Sequence, residues 1–192
     1  MNKVLFLNLA KLVYEFGQLR RVPHEGFKLL GIKLPHSVAE HSLRAAQIAY
    51  ILAVLEGHEN PEKICSMVVF HDLTETRLGD LHKVARRYIS QANHELAIQE
   101  QTQDLEAAGA GIRALWMEVE QKETRDAIIA KDADNLEMAF SAKEQLEQGH
   151  KDAQDWIDNV EKALQTKSAK ALFRSMLKVS ATDWWKGLKK LK

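Results

Sequence analysis

The sequence has little of what marks a secreted, membrane or nucleic-acid-binding protein. Cys65 is the one cysteine among 192 residues, which excludes an internal disulfide and is typical of the reducing cytosol. Lysine plus arginine and aspartate plus glutamate balance at 27 each, so no net charge favours polymeric nucleic acid or an anionic membrane. No apolar run approaches the roughly 20 residues of a membrane span, and the N-terminus lacks a signal-peptide pattern. We therefore expect a cytoplasmic protein with neither of these partners.

Proline and glycine are also scarce, at three and nine residues, and no stretch shows the alternation of a β-strand. Apolar residues instead recur at helical spacing along most of the chain. The sequence predicts an all-α helical bundle that forms one domain over residues 1–192. We expect its functional motifs within about residues 19–148 and packing helices within residues 150–192.

Local signals predict where several helices begin. Ser37 and Glu40 form a capping box, and Asn60-Pro61 supplies an N-cap followed by a proline at the first helical position. Thr124 is expected to cap a long core helix that runs to about residue 148. Residues 17–36 contain two prolines and three glycines and predict a largely irregular connection, a kind of segment that often lines a site.

Two further boundaries are predicted between these helices. Asp80 is placed to cap a short basic helix that contains Lys83 and Arg86. A more polar helix is expected over about residues 92–107, with a break at Gly109-Ala110-Gly111.

The most unusual stretch is an apolar run, residues 64–70, that ends abruptly in charged groups. His71 and Asp72 follow it directly, and helical geometry would put Glu75 on the same side. Ionisable groups at the end of a buried helix are costly unless a bound cation or solvent compensates them. Both alternatives, a cation site and a solvated helix end, are open from this segment alone.

His71 and Asp72 are joined by further metal-binding residue types in apolar, helical surroundings, and this favours the cation site. The set consists of His41, His71, Asp72 and one of Asp132 or Asp134. Two imidazoles and two carboxylates suit a divalent transition metal. The spacing differs from HExxH zinc helices, and there is no glycine-rich phosphate loop and no GxSxG motif. Asp132 is in line with Ile129 and Leu136, so helical periodicity does not decide between the two aspartates.

These residues resemble the motifs of the HD-domain metal-dependent phosphohydrolases, in the branch of the bacterial 5′-deoxynucleotidases and their eukaryotic HD-domain relatives. Four stretches carry the resemblance, in the family's order and at its spacing: residues 19–27, 37–42, 71–80 and 131–134. The family's Lys-x-x-Asp pattern selects Asp134 over Asp132. The resemblance implies an all-helical fold in which one divalent ion is held by His41, His71, Asp72 and Asp134. Manganese, cobalt or a similar ion is expected, with magnesium, zinc, nickel or iron as alternatives.

The resemblance also implies roles for other residues. Glu75 would assist the attacking water and Asp80 would face the sugar of a 5′-deoxynucleoside monophosphate, the expected substrate. Known relatives are often homodimers. Apart from the resemblance, the charge of four basic residues near the mouth of the site, and the match of arginine to phosphate oxygens, predict that they hold the phosphate: Arg20, Arg21, Lys83 and Arg86.

The sequence departs from the family's pattern in one place that concerns phosphate binding. The relatives' arginine–tryptophan pair is replaced here by Gly26-Phe27, so phosphate must be bound by other residues.

Two other functions are compatible with the sequence. The first is a phosphodiesterase or another nucleotide hydrolase, for which His82 and His94 are the intervening candidates for a second metal, although their context does not fit one. The second is a non-catalytic module that binds a metal or a nucleotide.

Overall fold

The computed structural model describes residues 2–89 and 93–188. Within these ranges the protein is all-α, as predicted, and the only extended pairing is a single bridge between Pro23 and Ser37. The α-helices are α1 (Lys3–Phe16), α2 (Val38–Leu55), α3 (Pro61–Phe70), α4 (Glu75–Leu78), α5 (Lys83–Arg86), α6 (His94–Thr102), α7 (Glu106–Gln121), α8 (Arg125–Glu147), α9 (Gln154–Ala163) and α10 (Lys167–Met176). None of the described helices is long and apolar enough to cross a membrane.

The N-caps predicted for α2, α3 and α8 are confirmed. The Ser37 hydroxyl accepts a hydrogen bond from the Glu40 N–H, and the Glu40 carboxylate accepts one from the Ser37 N–H at 2.6 Å. Asn60 caps α3 ahead of Pro61, and Thr124 caps α8. These bonds satisfy backbone donors that no intrahelical carbonyl can reach.

The segment from Gly17 to His36 is more regular than predicted. It forms two short 3₁₀ helices, Gly17–Arg21 and Glu25–Leu30. Between them, the His24 N–H donates to the His36 carbonyl at 2.9 Å, which closes the segment into a loop. The predicted irregular connection is therefore wrong in detail, because 3₁₀ turns are short enough to fit between prolines and glycines.

The expected cap of α5 is also wrong. His82, not Asp80, caps this helix, through its ring Nδ1, which accepts from the Ala85 N–H. The Asp80 carboxylate instead accepts a hydrogen bond from the Glu25 N–H at 2.7 Å and so ties the 3₁₀ segment to the loop after α4.

The predicted break at Gly109-Ala110-Gly111 does not exist, because these residues lie inside α7. The chain breaks earlier, between Thr102 and Glu106, and the predicted helix start near Ala92 lies outside the described residues. Gly109 is required for packing. A Cβ atom there would lie 2.0 Å from the Thr102 carbonyl oxygen, so α6 and α7 approach too closely for a side chain.

The core forms where α2, α3 and α8 pack together. The buried face of α2 is rich in alanine, including Ala45, Ala49 and Ala53, and short side chains let helices approach closely. Helix α8 is buried on most of its circumference, with Ile129 and Leu136 fully inaccessible. Three of its ionisable residues are therefore held inside the protein: Asp132, Asp134 and Glu137.

Candidate metal centre

Four ionisable side chains from three helices meet at one point in this core. His41 lies in the first turn of α2 and is 2 % exposed, and Asp134 lies in the middle of α8. His71 is the C-cap of α3, and Asp72 follows it. The chain then makes tight turns, in which the Glu75 N–H donates to the Asp72 carbonyl at 2.9 Å. We refer to His41, His71, Asp72 and Asp134 as the four-donor cluster.

The distances between the two imidazoles and the two carboxylates are close to those of a coordination shell, and one ligand atom each of His41, His71 and Asp134 lies within 4.8 Å of the others. His41 Nε2 lies 3.1 Å from Asp134 Oδ1, and His71 Nε2 lies 3.1 Å from Asp72 Oδ2. The corresponding crossed distances are 3.6 and 3.7 Å. Donor atoms bound at roughly 2.1 Å to one ion in tetrahedral or octahedral geometry are about 3.0–3.5 Å apart. The cluster is therefore close to the size that a divalent ion needs.

The other ring nitrogens fix the direction of both imidazoles. His71 Nδ1 donates to the Val68 carbonyl at 2.6 Å, and His41 Nδ1 donates to the Glu137 carboxylate. Each Nε2 therefore faces the centre of the cluster, and a neutral imidazole presents its lone pair there. His71 Nε2 is fully buried and finds no hydrogen-bond partner in the described part of the chain. An orphaned buried acceptor of this kind fits a metal ligand.

The electrostatics of the cluster favour a cation. Burial alone would raise the pKa of Asp134, but Lys131 and the two imidazoles hold it well below its usual range. Burial would lower the pKa of His41, yet hydrogen bonds to Asp134 and Glu137 raise it well above its usual value. The cluster thus attracts positive charge, which either protons or a metal ion supply.

Glu75 lies beside the cluster but outside it. It is the first residue of α4, and its side chain is almost fully buried. Burial, followed by the negative charges of Asp72 and Asp80, raises the pKa of Glu75 to about 10. Arg86 Nη2 lies 3.5 Å from Glu75 Oε1. A carboxyl group held between such opposing influences is suited to exchanging protons.

A cavity of about 620 Å³ opens onto the four-donor cluster and Glu75. A cavity of this volume is typical of sites that bind small molecules.

A family model of the HD domain matches residues 16–176, most of the chain. The chain belongs to the HD domain family.

Curated relatives and solved structures agree with this assignment. The chain is 33 % identical over 143 residues to 5′-deoxynucleotidase HDDC2 of Dictyostelium discoideum, covering 70 % of this chain and 75 % of the relative. It is 30 % identical over 149 residues to the human protein of the same name, covering 74 % and 72 %. A solved structure of a predicted coding region of Archaeoglobus fulgidus is 30 % identical, with a TM-score of 0.64, and covers 93 % of this chain and 99 % of that chain.

The HD-domain structure brings only some of the predicted substrate residues to the cavity. Asp80, Lys83 and Arg86 line it. Arg20 and Arg21 do not, because their side chains turn back to Gly17 and Gln18 in the preceding turn. The second-metal candidates line the cavity but have other contacts. His82 caps α5, and His94 Nδ1 lies 2.8 Å from the Thr74 hydroxyl.

Asp132 lies away from the four-donor cluster. Its carboxylate accepts hydrogen bonds from the N–H groups of Gln165 and Thr166 and from the Thr166 hydroxyl. Thr166 is the N-cap of α10, so Asp132 anchors the start of that helix to α8.

Two residues that contact the cluster were missed as functional candidates in the sequence. Lys131 Nζ lies 2.5 Å from Asp134 Oδ2, and Glu137 binds His41. Their spacing of three residues on either side of Asp134 places all three on one face of α8, which is a signal that could have found them.

A second group of potential ligands overlaps the first at His41. It consists of His24, His36, His41 and Glu137. His24 Nδ1 lies 2.8 Å from His36 Nε2, and burial lowers the pKa of both imidazoles to about 4. The Nδ1 atom of His41 is already bound by Glu137, so this group does not offer four free donors.

Proposed function

We propose that this HD-domain protein is a metal-dependent phosphohydrolase that releases phosphate from 5′-deoxynucleoside monophosphates. The observation that carries the proposal is the convergence of the four-donor cluster beside a buried carboxyl, Glu75, at the floor of a nucleotide-sized cavity. Support for the substrate class comes from relatives named 5′-deoxynucleotidase.

In this proposal the four-donor cluster holds one divalent ion through His41 Nε2, His71 Nε2 and the carboxylates of Asp72 and Asp134. Manganese or cobalt suits a mixed set of nitrogen and oxygen donors. When bound, such an ion lowers the pKa of water towards neutrality and polarises a phosphoryl oxygen. Lys131 neutralises the second oxygen of Asp134 and thereby limits the negative charge of the site.

Glu75 is proposed to take the proton of the attacking water. A cation in the neighbouring cluster would counteract the repulsion from Asp72 and Asp80 and so bring the pKa of Glu75 down towards the range in which it can accept a proton. Asp80 is proposed to face the sugar, since it lines the cavity with its carboxylate held by the Glu25 N–H.

Phosphate binding is proposed to use cations on α5, on α8 and just after the end of α7 rather than the family's arginine. Gly26 has no side chain to offer, and Phe27 is 1 % exposed and packs against Trp156. The basic residues that line the cavity are Lys83, Arg86, Lys122 and Lys131. Arginine can bind a phosphate through two parallel hydrogen bonds, which makes Arg86 the strongest candidate among them.

Phosphate release from a panel of esters tests the proposal. Chelator-treated protein is reloaded with manganese, cobalt, magnesium or zinc and assayed with 5′-deoxynucleotides, 5′-ribonucleotides, 3′-nucleotides and a phosphodiester. Preferred hydrolysis of the 5′-deoxynucleotides is expected. Hydrolysis of the diester alone would favour a phosphodiesterase, and metal binding without any hydrolysis would favour a non-catalytic module.

We also propose a cytosolic location and a homodimeric state. The first is supported by the lone cysteine and the second by the resemblance to the family. Sedimentation equilibrium of the full chain tests the dimer.

A further inference from the structure

The two histidines of the four-donor cluster are held in different ways. His71 Nδ1 donates to a main-chain carbonyl, that of Val68, whereas His41 Nδ1 donates to the side-chain carboxylate of Glu137. His41 and Glu137 are 2 % and 1 % exposed, so water does not compete for this bond. A charged acceptor strengthens the hydrogen bond at Nδ1. It also makes Nε2 more basic and therefore a better ligand for a metal ion.

The second oxygen of Glu137 is bound just as fully. Arg44 donates to Glu137 Oε1 from Nε at 3.0 Å and from Nη2 at 2.7 Å, and the Ser141 hydroxyl donates at 2.8 Å. Arg44 Nη1 also donates to Glu144 at 2.6 Å, nearer the surface. These contacts fix the position of the carboxylate and compensate its buried charge.

The contacts form a continuous polar stripe between α2 and α8. On α2 it consists of His41 and Arg44, one helical turn apart. On α8 it consists of Asp134, Glu137, Ser141 and Glu144, spaced three and four residues apart on one face. The stripe runs from the four-donor cluster to the partly exposed Arg44–Glu144 pair.

An ion pair that served only to join α2 and α8 would not need His41. Arg44 already has Glu144 as a second anionic partner, and Glu137 could give both oxygens to Arg44 and Ser141. Instead its oxygens are divided, with Oε2 directed at His41 Nδ1 and Oε1 at Arg44.

We propose that Glu137 is a positioning residue that, held by Arg44, orients His41 so that Nε2 faces the metal and binds it more tightly. This inference rests on the proposed metal site at the four-donor cluster.

Cobalt binding to the full chain tests the proposal without any assay of hydrolysis. Glu137→Gln removes the charge at nearly constant volume. We expect about 10–100-fold weaker cobalt affinity in a chelator-competition titration and a changed visible absorption spectrum of the bound ion. Glu144→Gln is the matched control, because it also removes an anionic partner of Arg44 but has no contact with His41. Its affinity and spectrum should equal those of the wild type.

A second variant covers the case in which Glu137→Gln does not fold. Glu137→Asp keeps a charge for Arg44 but is one methylene too short to reach His41 as well, so weaker cobalt binding is again expected. Wild-type affinity and spectrum in a folded variant at position 137 would overturn the positioning role and leave the proposed hydrolase intact. No cobalt binding by the wild type would overturn both.

Discussion

Asp132 and Asp134 lie two residues apart on α8, and both are buried, but they face different neighbours. Three donor groups at the start of α10 hydrogen-bond to the Asp132 carboxylate. Asp134 faces His41 and His71. The alignment of Asp132 with Ile129 and Leu136 correctly indicated a side chain inside the core. Periodicity could not identify its neighbours, because α8 is buried on most of its circumference and its buried faces meet different elements.

Asparagine at each position should separate the two roles. We expect Asp134→Asn to lose bound metal while remaining folded, because a neutral amide is a much weaker ligand than a carboxylate. Asp132→Asn should keep the metal and lower the free energy of unfolding by about 1–3 kcal/mol, since it weakens charge-assisted hydrogen bonds. Metal content by elemental analysis and urea unfolding measure the two effects. A metal-free Asp132 variant beside a metal-loaded Asp134 variant would reverse the assignment.

Glu75→Gln should separate catalysis from metal binding. Glu75 lies beside the four-donor cluster without being one of its members, so the variant should retain the metal and the fold. An amide cannot accept the proton of the attacking water, and loss of a general base typically lowers the rate about 10²–10⁴-fold. Initial rates on a 5′-deoxynucleotide at saturating metal measure this effect. Activity within about threefold of the wild type would exclude Glu75 as the base.

At the scale of elements, the sequence predicted the N-caps of α2, α3 and α8 correctly, but not the N-cap of α5 or the break between α6 and α7. A cap depends on residues three or four apart, so Ser37 with Glu40 and Thr124 could be read directly. A glycine in the sequence is compatible either with a helix end or with a close contact inside a helix. Only the position of the neighbouring helix distinguishes the two cases. The sequence pattern predicts a break at Gly109 and Gly111, whereas the approach of α6 explains Gly109.

The two glycines of α7 therefore form a matched pair for mutagenesis. Gly109→Ala should destabilise the protein by about 1–3 kcal/mol, because the new methyl group would meet the Thr102 carbonyl at 2.0 Å. Gly111→Ala, where no atom lies within 4 Å, should stabilise the helix by about 0.5–1 kcal/mol. Urea unfolding of both variants measures the difference. Equal effects at the two positions would contradict the close approach of α6 to α7.

The end of α1 is held by one carboxylate, and its contribution depends on pH. Glu15 accepts hydrogen bonds from Thr76, Arg77 and Gln101, at 3.0, 2.7 and 2.7 Å. Burial would raise the pKa of Glu15, but these hydrogen bonds lower it below its usual value. A lowered pKa means that the stabilisation is complete above the unfolded pKa of about 4.3 and is lost as the pH falls through the lower folded value.

Glu15→Gln should thus cost about 1–2 kcal/mol of stability near pH 7, and the difference from the wild type should shrink below about pH 4. Urea midpoints between pH 7 and pH 3 measure it. Glu123→Gln, at an exposed position between α7 and α8, is the control and should show little effect at any pH. A difference for Glu15→Gln that did not change with pH would exclude the charge as its source.

At the scale of the whole molecule, the candidate site exists because α2, α3 and α8 pack against one another. Each helix contributes an ionisable side chain whose burial without a partner costs free energy. These side chains are His41 on α2, His71 at the end of α3 and Asp134 on α8. The sequence identified these residues by type and by their resemblance to a family, but their convergence is a property of the packing. That all 192 residues form one domain stays a prediction.

A metal held by three helices should also stabilise the fold. Binding to the folded state alone adds about 2.7 kcal/mol at 100 times the dissociation constant, and for a chain of this size 1 kcal/mol corresponds to about 2–4 °C in Tm. We therefore expect manganese or cobalt to raise the Tm of chelator-treated protein by about 5–10 °C. His71→Ala should abolish most of this rise, because it removes the imidazole through which the end of α3 binds the same ion as the ligands on α2 and α8. Asp132→Asn, with its carboxylate outside the cluster, should show the full rise from a lower starting Tm. A wild-type Tm that did not respond to either metal would mean that the four-donor cluster does not bind the ion in the folded protein.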